Sequence, residues 1–183
     1  MAHSFSQRHN TCRKFSKRFL FLVLVILGIA LQGCATAGIP VTDRYTEVRD
    51  LSSFAGVLEG QRNGILANRN GEAIRTQIVT MQFTEGNRVY FCTNSSKAMY
   101  RQLRRSPAVS YCTYAEDYEP VVSVNGTVVF TEDAELKKKL FNENPRLQRF
   151  YQTPDNPEFT VFYIDAEEVE TFDSDGVKLY KIQ

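Results

Sequence analysis

The chain has 183 residues, of which 23% are charged, and a formal net charge of +1 at pH 7. Its two histidines, His3 and His9, lie in the first 33 residues, which have the pattern of a leader peptide. Once the leader is removed, no Ser–His or Cys–His nucleophile pair, histidine metal site or histidine-ligated haem is possible. The leader holds five of the 22 basic and none of the 21 acidic residues. The remainder is therefore mildly acidic, which argues against a nucleic-acid partner.

The N-terminal segment predicts export and a lipid anchor. A basic head with no acidic residue precedes the apolar run 19–31, which is too short for a comfortable membrane span of about 20 residues. Leu31-Gln32-Gly33-Cys34 resembles the lipobox of bacterial lipoproteins. We therefore expect a signal peptide over 1–33, lipidation of Cys34, and a tether over 34–44 at the extracytoplasmic face of a bacterial membrane. An uncleaved N-terminal anchor is the alternative, and it would also attach the protein to a membrane.

The remaining residues, 45–183, are enough for one domain with one core. Apolar residues near helical spacing predict a helix over 45–58. Turn signals and β-rich runs then predict four short strands joined mostly by tight turns. A short helix that ends before Pro107 separates the third strand from the fourth. These strands are predicted over 64–67, 74–83, 89–93 and 109–114.

The second half predicts more strands and two helices. A β-branched run over 121–130 contains Asn125-Gly126, which fits either a tight hairpin turn or a bulge, and we favour the bulge. Helices are predicted after residue 131 and over 145–151, followed by strands over 159–164, 169–172 and an optional 177–182. The whole pattern predicts a mainly β fold with inserted helices: a six- to seven-stranded antiparallel barrel with Greek-key connections.

The strongest functional signal lies where the strand 89–93 ends and the short helix begins. Thr93, Ser95, Ser96 and Lys97 place hydroxyls, backbone N–H groups and a cation at a helix N-terminus. The helix dipole and the open amides favour an anion there, and a phosphate is the simplest such ligand. The alternative is that the two serines only cap the helix and the basic residues after them form a solvated face.

Four segments in this order resemble the pyridoxamine 5′-phosphate oxidase-like flavoproteins, which have an FMN-binding split-barrel fold. These segments are the Asn-Gly turn with Ile74-Arg75-Thr76-Gln77, Tyr90–Thr93 with the Lys97 helix, Val122–Gly126, and Pro154–Pro157 before the run 159–163. The resemblance covers about residues 57–176. It implies a homodimer with FMN bound between the subunits.

The resemblance also suggests cofactor-binding residues. The phosphate segment would be Thr93, Ser95, Ser96 and Lys97, and Cys92 beside it is a further cofactor-binding residue. A second set lies on the strand whose basic side chain reaches the phosphate and whose backbone lines the isoalloxazine: Arg75, Thr76, Gln77 and Ile78. A departure is Gln77, where relatives often have a second basic residue, so one cationic contact is missing.

The leading hypothesis is a membrane-tethered flavoprotein that binds FMN non-covalently and acts as an oxidoreductase on a small molecule. No catalytic side chain is identified from the sequence, and no metal is expected. The alternative is a non-catalytic lipoprotein of the same fold that binds or stores flavin or the deazaflavin F420, and a purely structural envelope lipoprotein is a third possibility. Cys92 and Cys112 are read as small buried side chains, although an extracytoplasmic compartment would permit a disulfide.

Overall fold

The structure, a computed structural model, describes residues 44–183. The predicted signal peptide, the lipidation site at Cys34 and nearly all of the tether lie outside the described residues. Within residues 44–183, no helix combines the length and the apolar character that crossing a bilayer requires.

The described chain contains eight strands, four α-helices and one 3₁₀ helix. The strands are β1 (Tyr45–Val48), β2 (Asn63–Asn70), β3 (Ala73–Glu85), β4 (Arg88–Asn94), β5 (Ala108–Tyr114), β6 (Val121–Thr131), β7 (Phe159–Asp173) and β8 (Gly176–Ile182). The α-helices are α1 (Ala55–Gly60), α2 (Ala98–Arg105), α3 (Ala134–Glu143) and α4 (Pro145–Tyr151), and the 3₁₀ helix is Leu51–Phe54.

Six of these strands close into an antiparallel barrel. Neighbouring strands pair in the order β7-β4-β3-β2-β5-β6, and β6 returns to pair with β7. The connection from β4 to β5 passes over two strands and brings β5 beside β2, which is the Greek-key arrangement. Strands β8 and β1 extend the sheet beyond the barrel, and β1 is parallel to β8. The predicted fold class is therefore confirmed.

Strand β7 is the longest element and joins the barrel to its extension. One edge pairs with β6 along most of its length, while the other edge pairs first with β4 and then with β8. The register of β6 against β7 shifts between Asn125 and Gly126, so Glu167 of β7 has no partner in the ladder. The predicted bulge is therefore confirmed at this position, and the extra residue lies on the partner strand.

Two apolar clusters hold the elements together. The first fills the barrel and includes the stacked rings of Phe91 and Phe162, 5.2 Å apart, with the buried Leu103 of α2 beneath the barrel end. The second lies outside the barrel, where Leu147 and Tyr151 of α4 pack against Phe159. Fully burying one such side chain contributes about 1.5–3 kcal/mol. Helices α2 and α4 are thus fixed at the end and on the flank of the barrel.

Two predicted elements differ from the structure. The predicted helix 45–58 is wrong at its start, since residues 45–48 form β1 and helical structure begins only at Leu51. Local spacing favoured a helix, but the backbone of β1 finds its hydrogen-bond partners on β8. The two predicted closing strands form one strand, β7, because pairing with β6 continues through the polar segment between them.

Candidate functional site

A cleft of about 310 Å³ lies between the flank of the barrel and α4. Its floor comes from β3 and β4, its wall from α4, and one end from the turn that leads into α2. The lining residues are Ile78, Val79, Thr80, Gln82, Cys92, Thr93, Asn94, Lys97, Met99, Asn144, Arg146, Leu147, Phe150 and Tyr151. They include two cations and no carboxylate. The volume and the mixture of apolar and polar groups are those of a small-molecule site.

The turn that closes one end of the cleft is held by its own hydrogen bonds. The Asn94 side-chain oxygen accepts from the Ser96 amide at 2.7 Å and from the Ser96 hydroxyl at 2.5 Å. The Ser95 amide donates to the Glu158 carbonyl, and the Ser95 hydroxyl is 3.5 Å from the Pro157 carbonyl. The Asn94 amide group donates to the Glu158 carboxylate at 2.9 Å. Both serine hydroxyls therefore direct their protons at protein acceptors.

Hydrogen-bond donors without a side-chain partner lie directly after the two serines, at Lys97 and the first amides of α2. Lys97 is the N-cap of α2 and has no side-chain oxygen to cap the helix, so the first amides of α2 have no side-chain partner. Lys97 itself makes no ion pair within residues 44–183. Beside it, Thr93 is only 3% exposed and its hydroxyl has no hydrogen-bond partner. Lys97, Thr93 and the start of α2 border this end of the cleft, which we call the anion end.

The four predicted residues of β3 divide between two faces of the strand. Ile78 points outward, is 84% exposed, and lines the cleft. Thr76 shares its face but lies outside the cleft lining. Gln77 points toward α2, where its amide group donates to Gln102 at 3.1 Å. Arg75 is exposed and stands opposite the buried Asn68 of β2, so the structure does not bring its side chain to the cleft.

Helix α4 supplies a wall that the sequence analysis did not assign to the site. Asn144 caps α4 by accepting from the amides of Arg146 and Leu147, and its side-chain amide donates to Gln82 of β3 at 3.1 Å. This bond fixes α4 against the floor. Arg146 and Phe150 then border the cleft, with the guanidinium 5.9 Å from the ring centroid. The Asn144-Pro145 pair predicts the start of a helix from the sequence. The residues of that segment do not indicate which part of the barrel the helix packs against.

Two titratable groups in the cleft keep their protons at neutral pH. Burial raises the pKa of the Cys92 thiol to about 12. Burial, with smaller contributions from Cys92 and Glu158, raises the pKa of Tyr151 to about 12. Cys92 and Cys112 are both free thiols. Cys92 is therefore a neutral contact surface in this state, rather than a thiolate nucleophile.

Comparisons with known proteins show the family and agree with the fold. A family model described as pyridoxamine 5′-phosphate oxidase matches residues 54–173. A NimC/NimA family protein from Clostridium acetobutylicum is similar in structure, with a TM-score of 0.62 and 18% identity, over 70% of this chain and 92% of that chain. A protein related to general stress protein 26, from the same organism, has a TM-score of 0.61 and 18% identity over 72% and 94%.

A third similar structure is a pyridoxamine 5′-phosphate oxidase-related, FMN-binding protein from Nostoc punctiforme. It has a TM-score of 0.55 and 16% identity, over 66% of this chain and 80% of that chain. No curated protein sequence matches the chain. At these identities the structural likeness bears on the fold, and the matched model bears on the family.

Proposed function

Because the chain belongs to the pyridoxamine 5′-phosphate oxidase family, we propose that it is a flavoprotein that binds FMN non-covalently in the cleft between β3, β4 and α4. The observation that carries the proposal is the anion end, where Lys97 and the uncapped start of α2 border the cleft and the nearby strand residue Thr93 has a hydroxyl without a partner. A phosphate dianion accepts hydrogen bonds from all three kinds of donor. The Thr93 hydroxyl has no hydrogen-bond partner within the described residues, and a phosphate oxygen that reached it would remove the cost of leaving it unsatisfied.

The rest of the cleft suits a planar ring. Ile78 presents an exposed apolar side chain on the floor, on which the ring can lie, while Phe150, which is 66% exposed, belongs to the wall across the cleft. Bound FMN supplies hydride and single-electron transfer, so the protein need only bind, orient and exclude water. The protonated Cys92 contributes a neutral surface at this point. We therefore assign the protein, as a proposal, to oxidoreductases that act on a small molecule.

The direct test uses the protein without its leader, refolded or expressed with FMN. It should be yellow, with the absorption of oxidised flavin. Lys97→Ala should weaken FMN binding by about 1.5–3 kcal/mol, the scale of a charge-assisted hydrogen bond, measured by quenching of flavin fluorescence. Arg105→Ala, at the other end of the same helix, is the matched control. A colourless protein, or equal dissociation constants for the two variants, would contradict the proposal.

A non-catalytic binding protein of the same fold is the second candidate. It is favoured by the chemistry of the lining, which contains no histidine or carboxylate, while Cys92 and Tyr151 hold their protons near neutral pH. Flavin that stays oxidised in the presence of nicotinamides and dithiols would support this candidate. Titration with F420 in place of FMN decides which of the two cofactors the site prefers.

We also propose that the protein acts as a homodimer. Ile65, Ile74 and Ile78 are exposed on the outward face of β2 and β3, and Ile65 stands directly opposite Ile78. Contiguous exposed apolar groups on one sheet face mark an interface. Since Ile78 belongs both to this face and to the cleft, a second copy seated here would close the cleft from outside. FMN would then lie between subunits.

Attachment to a membrane rests on the sequence alone. The basic head, the apolar run and the cysteine at 34 support lipidation at Cys34 and anchoring at the extracytoplasmic face. Incorporation of labelled palmitate into the full chain, compared with Cys34→Ala, tests this. Equal labelling of the two proteins would rule out lipidation at that cysteine.

A further inference from the structure

The α4 wall has donors that the proposed cofactor site leaves unused. Arg146 lies in the first turn of α4, where the helix dipole disfavours a cation, and no acidic residue occupies that turn. Within residues 44–183 it makes no ion pair, and its recorded partner is the ring of Phe150. An exposed arginine that borders a cleft and makes no ion pair with a carboxylate can bind an anionic ligand.

A second unused donor lies at the back of the same wall. Tyr151 is 8% exposed and lines the cleft, yet its hydroxyl makes no hydrogen bond within the described residues. The hydroxyl is not among the fully buried unpartnered polar atoms of the described residues, so it is open to solvent at the cleft. The raised pKa keeps the group protonated, and it can therefore donate to a ligand. Arg146 and Tyr151 both line the cleft and are two separate donors toward it.

The other polar groups of the wall and floor are already used. The Asn144 side-chain oxygen accepts from two amides of α4, and its amide group donates to Gln82. The Thr80 hydroxyl donates to the Asn63 side chain at 2.8 Å. Gln148 donates to two carbonyls of α3. This leaves one guanidinium and one phenol as donors, beside the exposed ring of Phe150.

We propose that the α4 wall is the substrate subsite and that it takes a small planar aromatic carboxylate. A single guanidinium matches a monoanionic carboxylate, whose two oxygens it meets with parallel hydrogen bonds. The Phe150 ring provides a surface for an aromatic ring, and Tyr151 donates to a further oxygen of the ligand. This inference rests on the proposed flavin function, since the substrate lies between α4 and the cofactor.

The test is calorimetric titration of benzoate into the FMN-loaded protein, with FMN affinity measured first on the same preparation. Failure to bind FMN contradicts the proposed function. When FMN is bound, the further inference alone is under test. We expect benzoate to bind and Arg146→Gln to weaken it at least tenfold. Arg149→Gln, on the same helix but outside the cleft, should stay within twofold of the unsubstituted protein.

Tyr151→Phe, which removes only the hydroxyl, should weaken the binding of 4-hydroxybenzoate or 2-hydroxybenzoate threefold or more. Benzamide, the neutral analogue, should bind at least tenfold more weakly than benzoate to the unsubstituted protein. Four results would overturn the inference: no benzoate binding, equal binding of benzamide, preference for phenyl phosphate, or an Arg146→Gln loss confined to FMN. The last would place the cofactor phosphate at the α4 wall instead of the anion end.

Discussion

Two hydroxyls of residues that line the cleft, those of Thr93 and Tyr151, carry the two proposed roles at the scale of single residues. Thr93 is 3% exposed, and its hydroxyl is fully buried without a hydrogen-bond partner within the described chain. Such a group costs about 1–3 kcal/mol. Tyr151 is 8% exposed, but its hydroxyl is not among the fully buried unpartnered atoms of the described residues, so it is open to solvent. Of the two, only Thr93 bears this cost.

The Thr93→Val variant separates two effects of the hydroxyl: its effect on stability without cofactor and its effect on FMN affinity. We expect the protein without cofactor to gain about 1 kcal/mol of stability, because an unsatisfied buried group is replaced by an apolar one. FMN affinity should fall about fivefold, since one hydrogen bond to the phosphate is lost. Urea unfolding without cofactor and a fluorescence titration with FMN measure the two effects.

Thr113→Val is the matched control. Thr113 is fully buried like Thr93, but its hydroxyl bonds to the Gln61 carbonyl at 2.7 Å. Its loss should lower stability by about 1 kcal/mol and leave FMN affinity unchanged. A stability loss for Thr93→Val like that of Thr113→Val would show that the Thr93 hydroxyl is satisfied within the protein.

Cys92 makes stability depend on alkaline pH. Burial raises its pKa from 9.0 to about 12 in the folded protein, and that of Tyr151 rises from 10.0 to about 12. The folded state therefore holds these protons more tightly than the unfolded chain. Their contribution to stability is complete below pH 9 and is lost as the pH rises toward 12.

Urea unfolding between pH 7 and 11 should therefore show a plateau and then a fall that begins near pH 9. Cys92→Ala should move the start of the fall toward pH 10, where tyrosine takes over. If Cys92→Ala had no effect on the pH profile, the thiol would be accessible to solvent in the folded protein.

Strand β7 determines the architecture at the scale of elements. Because β7 is long, one of its edges pairs first with β4 and then with β8. This pairing joins the barrel to the outer strands β8 and β1. The bulge opposite Gly126 bends β7 at the transition between these partners. Gly126 is required because a Cβ atom at this position would overlap the Asp165 carbonyl oxygen.

Gly126→Ala should therefore destabilise the protein by about 2–4 kcal/mol. The atom that the new methyl group would meet belongs to the backbone of β7, which cannot move aside as a flexible side chain could. Thermal or urea unfolding measures the effect. Gly56→Ala in α1 is the control, because no atom lies within 4 Å of the added Cβ. That variant should be neutral or slightly more stable. A neutral Gly126→Ala variant would show that the approach of β7 to β6 is not rigid.

The proposed dimerisation, at the scale of the whole molecule, rests on the exposed apolar face of β2 and β3. Ile65 is 49% exposed and does not line the cleft, so it reports on association without touching the proposed cofactor site. Its neighbours across the strands are Ile78 and Cys112. An aspartate at this position would carry charge into the centre of the proposed dimer interface.

Ile65→Asp should weaken the dimer at least about 30-fold, the scale of an interface hot spot, as measured by analytical ultracentrifugation. If FMN lies between subunits, FMN affinity should fall with the loss of the dimer. Tyr118→Asp changes an exposed aromatic residue in the loop between β5 and β6 and should affect neither property. A monomeric unsubstituted protein, or an Ile65→Asp dimer of normal affinity, would contradict the proposal.

Much of the fold could be predicted from local sequence. Alternating apolar residues and turn dipeptides located the barrel strands, and Asn125-Gly126 located the register shift. The run from Thr93 to Lys97 located the anion end of the cleft. These signals are local because strand alternation, turn conformation and helix starts depend on neighbouring residues. The predicted phosphate contacts of Thr93, Ser95, Ser96 and Lys97 stay predictions.

Other features depend on contacts between distant segments. The sequence alone determined that the chain makes an antiparallel barrel and that a cation follows a strand end at Lys97, since pattern and spacing carry that information. Only the tertiary structure decided that β1 joins β8, that α4 forms the second wall of the cleft, and that Arg75 lies away from it. Such choices are made by long-range pairing and packing, and the free energy that selects them is not encoded in any short window of residues.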